Sequence, residues 1–318
     1  MQEKQWPRVA VVGAGAVGSY FGGMLARAGA PVTLIGRAPH VEAINHDGLL
    51  IDGIHFKERI PVSASTELDA VRDAQLVLFS VKTVDTEGTA KLLAPYLAPN
   101  AIVVSLQNGV DNVEHIHTAS GIRAIPAVVY VAVALAGLGQ VKHSGRGDLI
   151  IGNSSMDRDA DRSQLEEVAA TFTRAGVPCR ISQNVTAELW EKLIMNCAYN
   201  ALSALSRSQY GRILQDPDAV EIMKRVVKEA VTVADAAGVK LGLDAMTEAV
   251  LKLGKAMPAT LSSTAQDIAR GKPTEIDSLN GFLVRKGTEL GISTPINQML
   301  HALVKLLEEA TTIRAHAA

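Results

Sequence analysis

RVAVVGAGAVGSYFGGMLARA, residues 8–28, sets an apolar run, three spaced glycines and a helical stretch in immediate succession. Val9 to Val12 has the short β-branched texture of a strand, and Ser19 to Ala28 that of the helix after it. Between them stand Gly13, Ala14, Gly15, Ala16, Val17 and Gly18. Gly13 permits the tight turn, Gly15 lets a pyrophosphate approach the backbone, and Gly18 allows helix and strand to pack closely; the helix N-terminus receives the anion. A G-x-G-x-x-G string alone is weak evidence, and a purely structural glycine turn competes with it. The strand before it and the helix after it supply the context that a dinucleotide fingerprint requires.

Outward from this unit the chain alternates short β-branched runs with helical stretches, the pattern of a parallel sheet with crossover helices. Strands are expected at Val9 to Val12, Val32 to Ile35, Leu76 to Val81, Ile102 to Leu106, Ala127 to Val133, Leu149 to Ile151 and Val177 to Ile181. Ser163 to Glu166 has the S-x-x-E form of a capping box and should open a helix ending near Gly176. After Asn184 helical periodicity takes over. Asp216-Pro217 and Thr294-Pro295 signal helix starts, and Gly238, Gly271 and Gly291 signal stops. The expected fold is therefore α/β: a parallel-sheet dinucleotide-binding domain over residues 1–183, then an all-α domain over residues 184–318 that would carry the substrate and the catalytic groups.

The second strand ends at Ile35-Gly36-Arg37, where an NAD-specific site would carry a carboxylate for the ribose hydroxyls. An arginine there pairs with a 2′-phosphate through parallel charge-assisted bonds, so the expected cofactor is NADP; a plain surface arginine is the alternative. Ligands of open parallel sheets bind outside the carboxyl ends of the strands. That places Lys82, after LVLFSV, and Asn108, after VVSLQ, on the cofactor side, although each also reads as an ordinary loop residue.

A chain of 318 residues with 47% hydrophobic and 20% charged residues is a globular composition of two-domain length. Its formal net charge of −2, with no cluster of Lys and Arg, argues against a nucleic-acid partner. Cys179 and Cys197 are too few for a disulfide scaffold and lack zinc-site spacing. The longest apolar run, Ala124 to Leu138, contains Pro126 and Gly137 and falls short of the roughly 20 residues of a spanning helix. A cytoplasmic, membrane-free protein with a small-molecule partner and no metal is expected, and its amphipathic helices allow a homodimer.

LWEKLIMNCAYNALSAL, residues 189–205, places Lys192, Asn196 and Asn200 at i, i+4 and i+8 on one helix face. Apolar residues surround this row, and buried amides and ammonium groups are costly unless partnered. Either protein groups or a polar ligand should meet them. A structural lysine paired with Glu188 or Glu191 is the bland reading. Further on, Ser262 to Arg270 reads as a polar helix stopping at Gly271, and Lys272 to Asp277 as the start of a new one with Thr274 as its cap. Glu275 and Asp277 in that first turn would gain from the helix dipole even without a function.

Taken together these residues resemble the ketopantoate reductases (2-dehydropantoate 2-reductases). That family carries the glycine fingerprint, a lysine after the fourth strand, Asn-Gly after the fifth, W-x-K-x-x-x-N-x-x-x-N, S-S-x-x-Q-D, T-E-I-D and N-G. Here these are Gly13, Gly15 and Gly18, Lys82, Asn108-Gly109, Trp190 with Lys192, Asn196 and Asn200, Ser262-Ser263 with Gln266-Asp267, Thr274 to Asp277, and Asn280-Gly281. The match runs in order over nearly the whole chain. It implies a Rossmann half and a helical half, NADPH-dependent reduction of 2-dehydropantoate to (R)-pantoate in pantothenate biosynthesis, and Lys192 as general acid. It further implies Glu275 as an active-site carboxylate and Asn108, Asn196, Asn200 and Ser263 as substrate-binding groups.

Physical chemistry agrees with those roles. A 2-oxo acid gains negative charge on its carbonyl oxygen as hydride arrives, so an ammonium and amide donors aimed there favour the transition state. A related 2-oxo acid reductase on the same scaffold is the near alternative. A non-catalytic NADP(H)-binding sensor is the distant one, and it predicts a damaged acid position. No G-x-S-x-G, H-E-x-x-H or Walker string supports hydrolase or phosphotransferase chemistry.

Overall fold

In the computed structural model, which describes residues 5–153 and 162–317, the chain divides into two compact units, Met1–Val185 and Thr186–Ala318. The first holds strands β1 (Val9–Val12), β2 (Val32–Ile35), β3 (Leu49–Asp52), β4 (Lys57–Ile60), β5 (Ser63–Ser65), β6 (Leu76–Phe79), β7 (Ile102–Ser105), β8 (Ala124–Gly137), β9 (Gln140–Ile151) and β10 (Cys179–Ile181). Its helices are α1 (Ala16–Arg27), α2 (Ala38–Asp47), α3 (Thr86–Leu93), α4 (Asn112–Ser120) and α5 (Arg162–Arg174).

The sheet runs β4-β3-β9-β8-β7-β6-β1-β2-β5, with β10 on β9. Its six strands β5-β2-β1-β6-β7-β8 pair in parallel, the doubly wound order whose direction reverses beside β1, where ligands of such sheets bind. β1 is buried along its whole length, and its side chains alternate between two apolar layers. Val9 and Val11 join Phe21 and Leu25 of α1, while Ala10 and Val12 join Phe79, Leu93 and Ile116. Fully burying a side chain such as Phe21 contributes about 1.5–3 kcal/mol. Helices therefore cover both faces of the core strands.

The sheet is not parallel throughout, as periodicity alone had suggested: β8 pairs antiparallel with β9, and β3 with β4. β8 begins at Ala124, ahead of the expected Ala127, and runs straight through Pro126. Pro126 is the last β8 residue in register with β7, opposite Ser105, and pairing with β9 starts at Ala127. The missing N–H thus falls where the strand changes partners, a place proline tolerates. β6, β7 and β10 are shorter than expected. α5 already includes Arg162, so Ser163 lies inside the helix and not ahead of it.

The second unit is built from α6 (Val185–Ser206), α7 (Tyr210–Leu214), α8 (Pro217–Ala236), α9 (Leu243–Ala256), α10 (Ser263–Ala269), α11 (Asn280–Glu289) and α12 (Pro295–Ala317). Asp216 caps α8 as expected, its carboxylate accepting from the N–H groups of Asp218 and Ala219. Gly238, Gly271 and Gly291 follow their helices at φ of +85°, +62° and +70°, the left-handed stop that glycine allows. Tyr199 stacks on Tyr210 with centroids 4.1 Å apart and donates to the Val250 carbonyl at 2.8 Å, tying α6 to α7 and α9. The helix expected from Lys272 is instead a single 3-10 turn, Ile276–Ser278, with α11 starting at Asn280. Thr274 still serves the turn, its hydroxyl accepting from the Ile276 N–H at 3.2 Å.

Candidate active site

In the first unit the glycine loop joins β1 to α1. Gly13 lies at φ +100°, and a Cβ there would come within 2.7 Å of the Val81 nitrogen. At Gly18 a Cβ would overlap the Gly13 carbonyl oxygen and Ser80 Oγ. The fold itself demands both glycines. Gly15 differs: its backbone is ordinary, at φ −78° and ψ −167°, and a Cβ would meet nothing within 4 Å. The open space above Gly15 is what a closely approaching ligand needs. α1 has Gly15 as its N-cap, no side-chain cap and no acidic residue in its first turn, so its N-terminal N–H groups and dipole face an uncompensated end suited to a pyrophosphate.

Ser80 holds the loop from the next strand, donating to the Gly13 carbonyl at 2.8 Å. Arg37 follows β2, one residue beyond Gly36, and caps α2 with its backbone. Its guanidinium is exposed and makes no hydrogen bond or ion pair among the described residues. Lys82 and Asn108 follow β6 and β7, neighbours in the sheet, so the fold gathers Gly13 to Gly18, Arg37, Lys82 and Asn108 at the carboxyl ends of adjacent strands. Lys82 is exposed and Asn108 half-buried.

A buried polar set that the sequence reading missed braces these loops. Gln107 donates to the Val81 carbonyl at 3.1 Å and to Thr86 Oγ1 at 2.7 Å. Ser105 donates to Gln107 Oε1 at 3.0 Å, and Asn112 donates to the Asn108 carbonyl at 2.6 Å. The signal in the sequence was the polar residues closing an apolar strand, which must find partners when buried.

In the second unit Lys192, Asn196 and Asn200 lie along α6. Lys192 and Asn196 are half-buried and Asn200 is 2% exposed. Leu193, Ile194, Cys197 and Ala201 around them are fully or almost fully buried, so the row is set in apolar surroundings. The Asn196 side chain has no hydrogen-bond partner among the described residues. Asn200 Nδ2 reaches the Ser263 hydroxyl at 3.5 Å, which brings α10 to the row; Ser263 itself is exposed. Ser262 and Ser203, both buried, lock this junction: the Ser262 hydroxyl donates to the Asn200 carbonyl and its N–H to Ser203 Oγ, each at 3.2 Å.

Glu275 is half-buried and precedes the 3-10 turn. Asp277, two residues on, is held by α12 through His301 at 2.6 Å and Lys305 at 2.9 Å. Burial works to raise its pKa, but the hydrogen bonds and charges of His301 and Lys305 prevail and hold it below the ordinary carboxylate value. Asp277 anchors the turn that carries Glu275. No cluster of His, Cys, Asp and Glu suited to a metal occurs among the described residues. Burial pushes the Cys179 thiol up to about 12 and the Cys197 thiol higher, which makes neither a nucleophile.

The family model of ketopantoate reductase PanE/ApbA matches residues 9–155, and that of its C-terminal domain matches residues 184–308. The chain belongs to the ketopantoate reductase family. It is an oxidoreductase by that membership. The 2-dehydropantoate 2-reductase of Pyrococcus horikoshii is 34% identical over 95% of this chain and 97% of that one. A crystal structure of a PanE/ApbA family ketopantoate reductase from Ralstonia eutropha is 48% identical, covers 96% of this chain and 99% of its own, and has a TM-score of 0.88. D-mandelate dehydrogenase in a ternary structure with NADH and anilino(oxo)acetate also has a TM-score of 0.88, covering 96% and 99% of the two chains. At 24% identity that second likeness is one of fold. Among the described residues of this ketopantoate reductase family chain, no helix is long and apolar enough to cross a membrane.

Proposed function

We propose that the chain reduces 2-dehydropantoate to (R)-pantoate with NADPH as hydride donor. The observation that carries the reading is the α6 row: Lys192, Asn196 and Asn200 in apolar surroundings, joined by Ser263, in a chain of the ketopantoate reductase family. Gly15, the N-terminus of α1, Arg37, Lys82 and Asn108 would hold the cofactor, with Arg37 on the 2′-phosphate. NADPH, when bound, supplies a hydride to C2 of the substrate. The electron pair of the C=O bond then moves to oxygen, and the Lys192 ammonium gives that oxygen its proton, leaving the 2-hydroxy acid and a neutral amine that solvent reprotonates. Asn196 and Asn200 donate to the same region, and donors aimed at developing charge lower the barrier more than they tighten ground-state binding. Glu275 would be the active-site carboxylate that acts with Lys192.

Purified protein mixed with NADPH and 2-dehydropantoate should consume NADPH. Absence of turnover above background would remove the proposal. Lys192→Ala should lower kcat by several powers of ten, since it removes both proton donor and charge. Near-normal turnover would overturn the role of Lys192. The equal TM-scores of a ketopantoate reductase and of D-mandelate dehydrogenase mean that the scaffold does not choose the substituent at C2. A panel of 2-oxo acids, including aryl-substituted ones, therefore tests the second reading, a reductase of another 2-oxo acid. A non-catalytic sensor predicts a lost acid, whereas Lys192 is present.

A further inference from the structure

Behind the polar row, a chain of buried amides runs across the helical unit. Glu229 on α8 accepts from the backbone N–H groups of Ile296 at 2.9 Å and Asn297 at 3.0 Å, and from Asn297 Nδ2 at 2.8 Å. Asn297 Oδ1 accepts from Asn280 Nδ2 at 3.0 Å, and the same Nδ2 donates to the Cys197 carbonyl at 3.3 Å. Both asparagines are 0% exposed.

The orientation of every amide in this chain follows from chemistry. An ionised Glu229 only accepts, so Asn297 must turn its NH2 toward it and its oxygen toward Asn280. Asn280 must then present its own NH2 to that oxygen, and the Cys197 carbonyl, which also only accepts, takes the second N–H. The relay thus ends on α6 at the residue after Asn196 and three before Asn200. Within a helix that carbonyl already receives the N–H of the residue four positions on. Asn280 is a second donor to it, from outside the helix.

Stability alone does not account for this arrangement, because Asn280 Oδ1 is buried with no hydrogen-bond partner. Apolar side chains of similar size in place of both Asn280 and Asn297 would fill the space without an orphaned amide oxygen. What the amide supplies and an apolar group lacks is direction. Here we infer that Asn280 is a positioning residue, backed by Asn297 and Glu229, that fixes the rotation of α6 about its axis and so the direction in which Lys192, Asn196 and Asn200 project. This rests on the reading of that row as the substrate-binding face. Displacing reacting groups by about 1 Å costs on the order of 100-fold in rate, so a modest rotation of α6 has large consequences for chemistry and small ones for folding.

Asn280→Asp keeps the shape but, when ionised, turns a donor into an acceptor facing two acceptors; Asn280→Ser keeps one donor. In Asn280→Asp, kcat with 2-dehydropantoate should fall about 10- to 100-fold, with KM for NADPH within about twofold of wild type. Activity should recover partly as pH falls and the new carboxyl group gains a proton to donate, and Asn280→Ser should lie between. Lower thermal stability with kcat and pH profile unchanged would overturn the inference. Alkylation of Cys197, fully buried in the parent chain, gives a readout independent of substrate. Its rate should rise at least about tenfold in Asn280→Asp, and an unchanged rate would equally overturn the inference. A wild-type protein inactive on every 2-oxo acid would sink the functional reading instead, and the thiol measurement would still decide whether Asn280 holds α6.

Discussion

Replacing Gly15 by alanine separates what the fold requires from what a ligand requires. Its backbone, at φ −78° and ψ −167°, is open to any residue, and the added Cβ meets no atom within 4 Å. Two small terms act on the ligand-free chain. Alanine is a poorer N-cap than glycine by about 0.5–1 kcal/mol, and it restricts the unfolded chain to the benefit of the fold by about 0.4–1 kcal/mol. They nearly cancel, leaving a change within about 0.5 kcal/mol, or about 2 °C in the unfolding midpoint for a unit of this size. The same Cβ would stand where a pyrophosphate approaches the backbone, so the NADPH dissociation constant should rise at least about tenfold, a loss of about 1.4 kcal/mol. Gly18→Ala is the opposite case. Its Cβ overlaps the Gly13 carbonyl oxygen and Ser80 Oγ, and overpacking of about 3 kcal/mol, offset by about 1 kcal/mol of helix propensity, leaves a net loss near 2 kcal/mol. Thermal unfolding of the ligand-free proteins, with NADPH titrations followed by fluorescence, measures both quantities. Wild-type affinity in Gly15→Ala would refute the reasoning, as would a fall of more than about 5 °C in its ligand-free midpoint.

Three further outcomes are expected. Arg37→Asp should raise KM for NADPH far more than that for NADH, because the 2′-phosphate is the only difference the guanidinium can read; equal effects on both would discard the NADP assignment. Burial lowers the pKa of His40, whose Nδ1 accepts from the Gly139 N–H at 3.0 Å and whose Nε2 faces Ser19 Oγ at 3.3 Å. The unfolded chain therefore binds this proton more readily, so the contribution of His40 is complete above about pH 6.5 and is lost as pH falls from there through the lower folded value. Denaturation midpoints of the parent and His40→Gln across that range should differ most at neutral pH and converge in acid; parallel curves would contradict this. Glu229→Ala strips three accepted hydrogen bonds from the start of α12 and should cost about 2–3 kcal/mol by chemical denaturation, and a loss below about 0.5 kcal/mol would show that water replaces the carboxylate.

Local spacing made the first half of the fold readable. β1 and β2 fall on the residues expected, because a short β-branched run beside a glycine turn leaves few alternatives. β4 and β5 escaped because Lys57–Ile60 is mostly exposed and Ser63–Ser65 is three small residues, neither of which carries an apolar alternation. The 3-10 turn after Glu275 escaped for another reason. Asp277 is drawn to His301 and Lys305 on α12, and such tertiary anchors override a helical pattern six residues long. Long-range polar pairs were beyond reach in principle: Asn280 and Cys197 are 83 positions apart, and Asn297 and Glu229 are 68 apart. Nothing in local sequence marks them as partners.

The polar residues of this chain divide by whether the fold alone explains them. Gln107, Asn112, Ser203, Ser262 and Asn297 are buried, and their hydrogen bonds within the protein account for their identity. Arg37 and Asn196 make no such bonds among the described residues, and the space above Gly15 has no structural use. An amide set in an apolar helix face carries a desolvation cost that a polar ligand would offset, whereas the exposed Arg37 guanidinium carries none and is simply open to an anionic partner. The two units then follow opposite logics. In the first, the proposed cofactor would occupy the open space at Gly15, and the test is to fill it. In the second, the proposed ligand would be met by the α6 row, where Asn196 has no hydrogen-bond partner among the described residues, and the test is to remove or turn its donors. Changes at Gly15, Arg37 and the α6 row are therefore expected to affect binding with little effect on the fold, unlike changes to the glycines and amides whose identity the fold already explains.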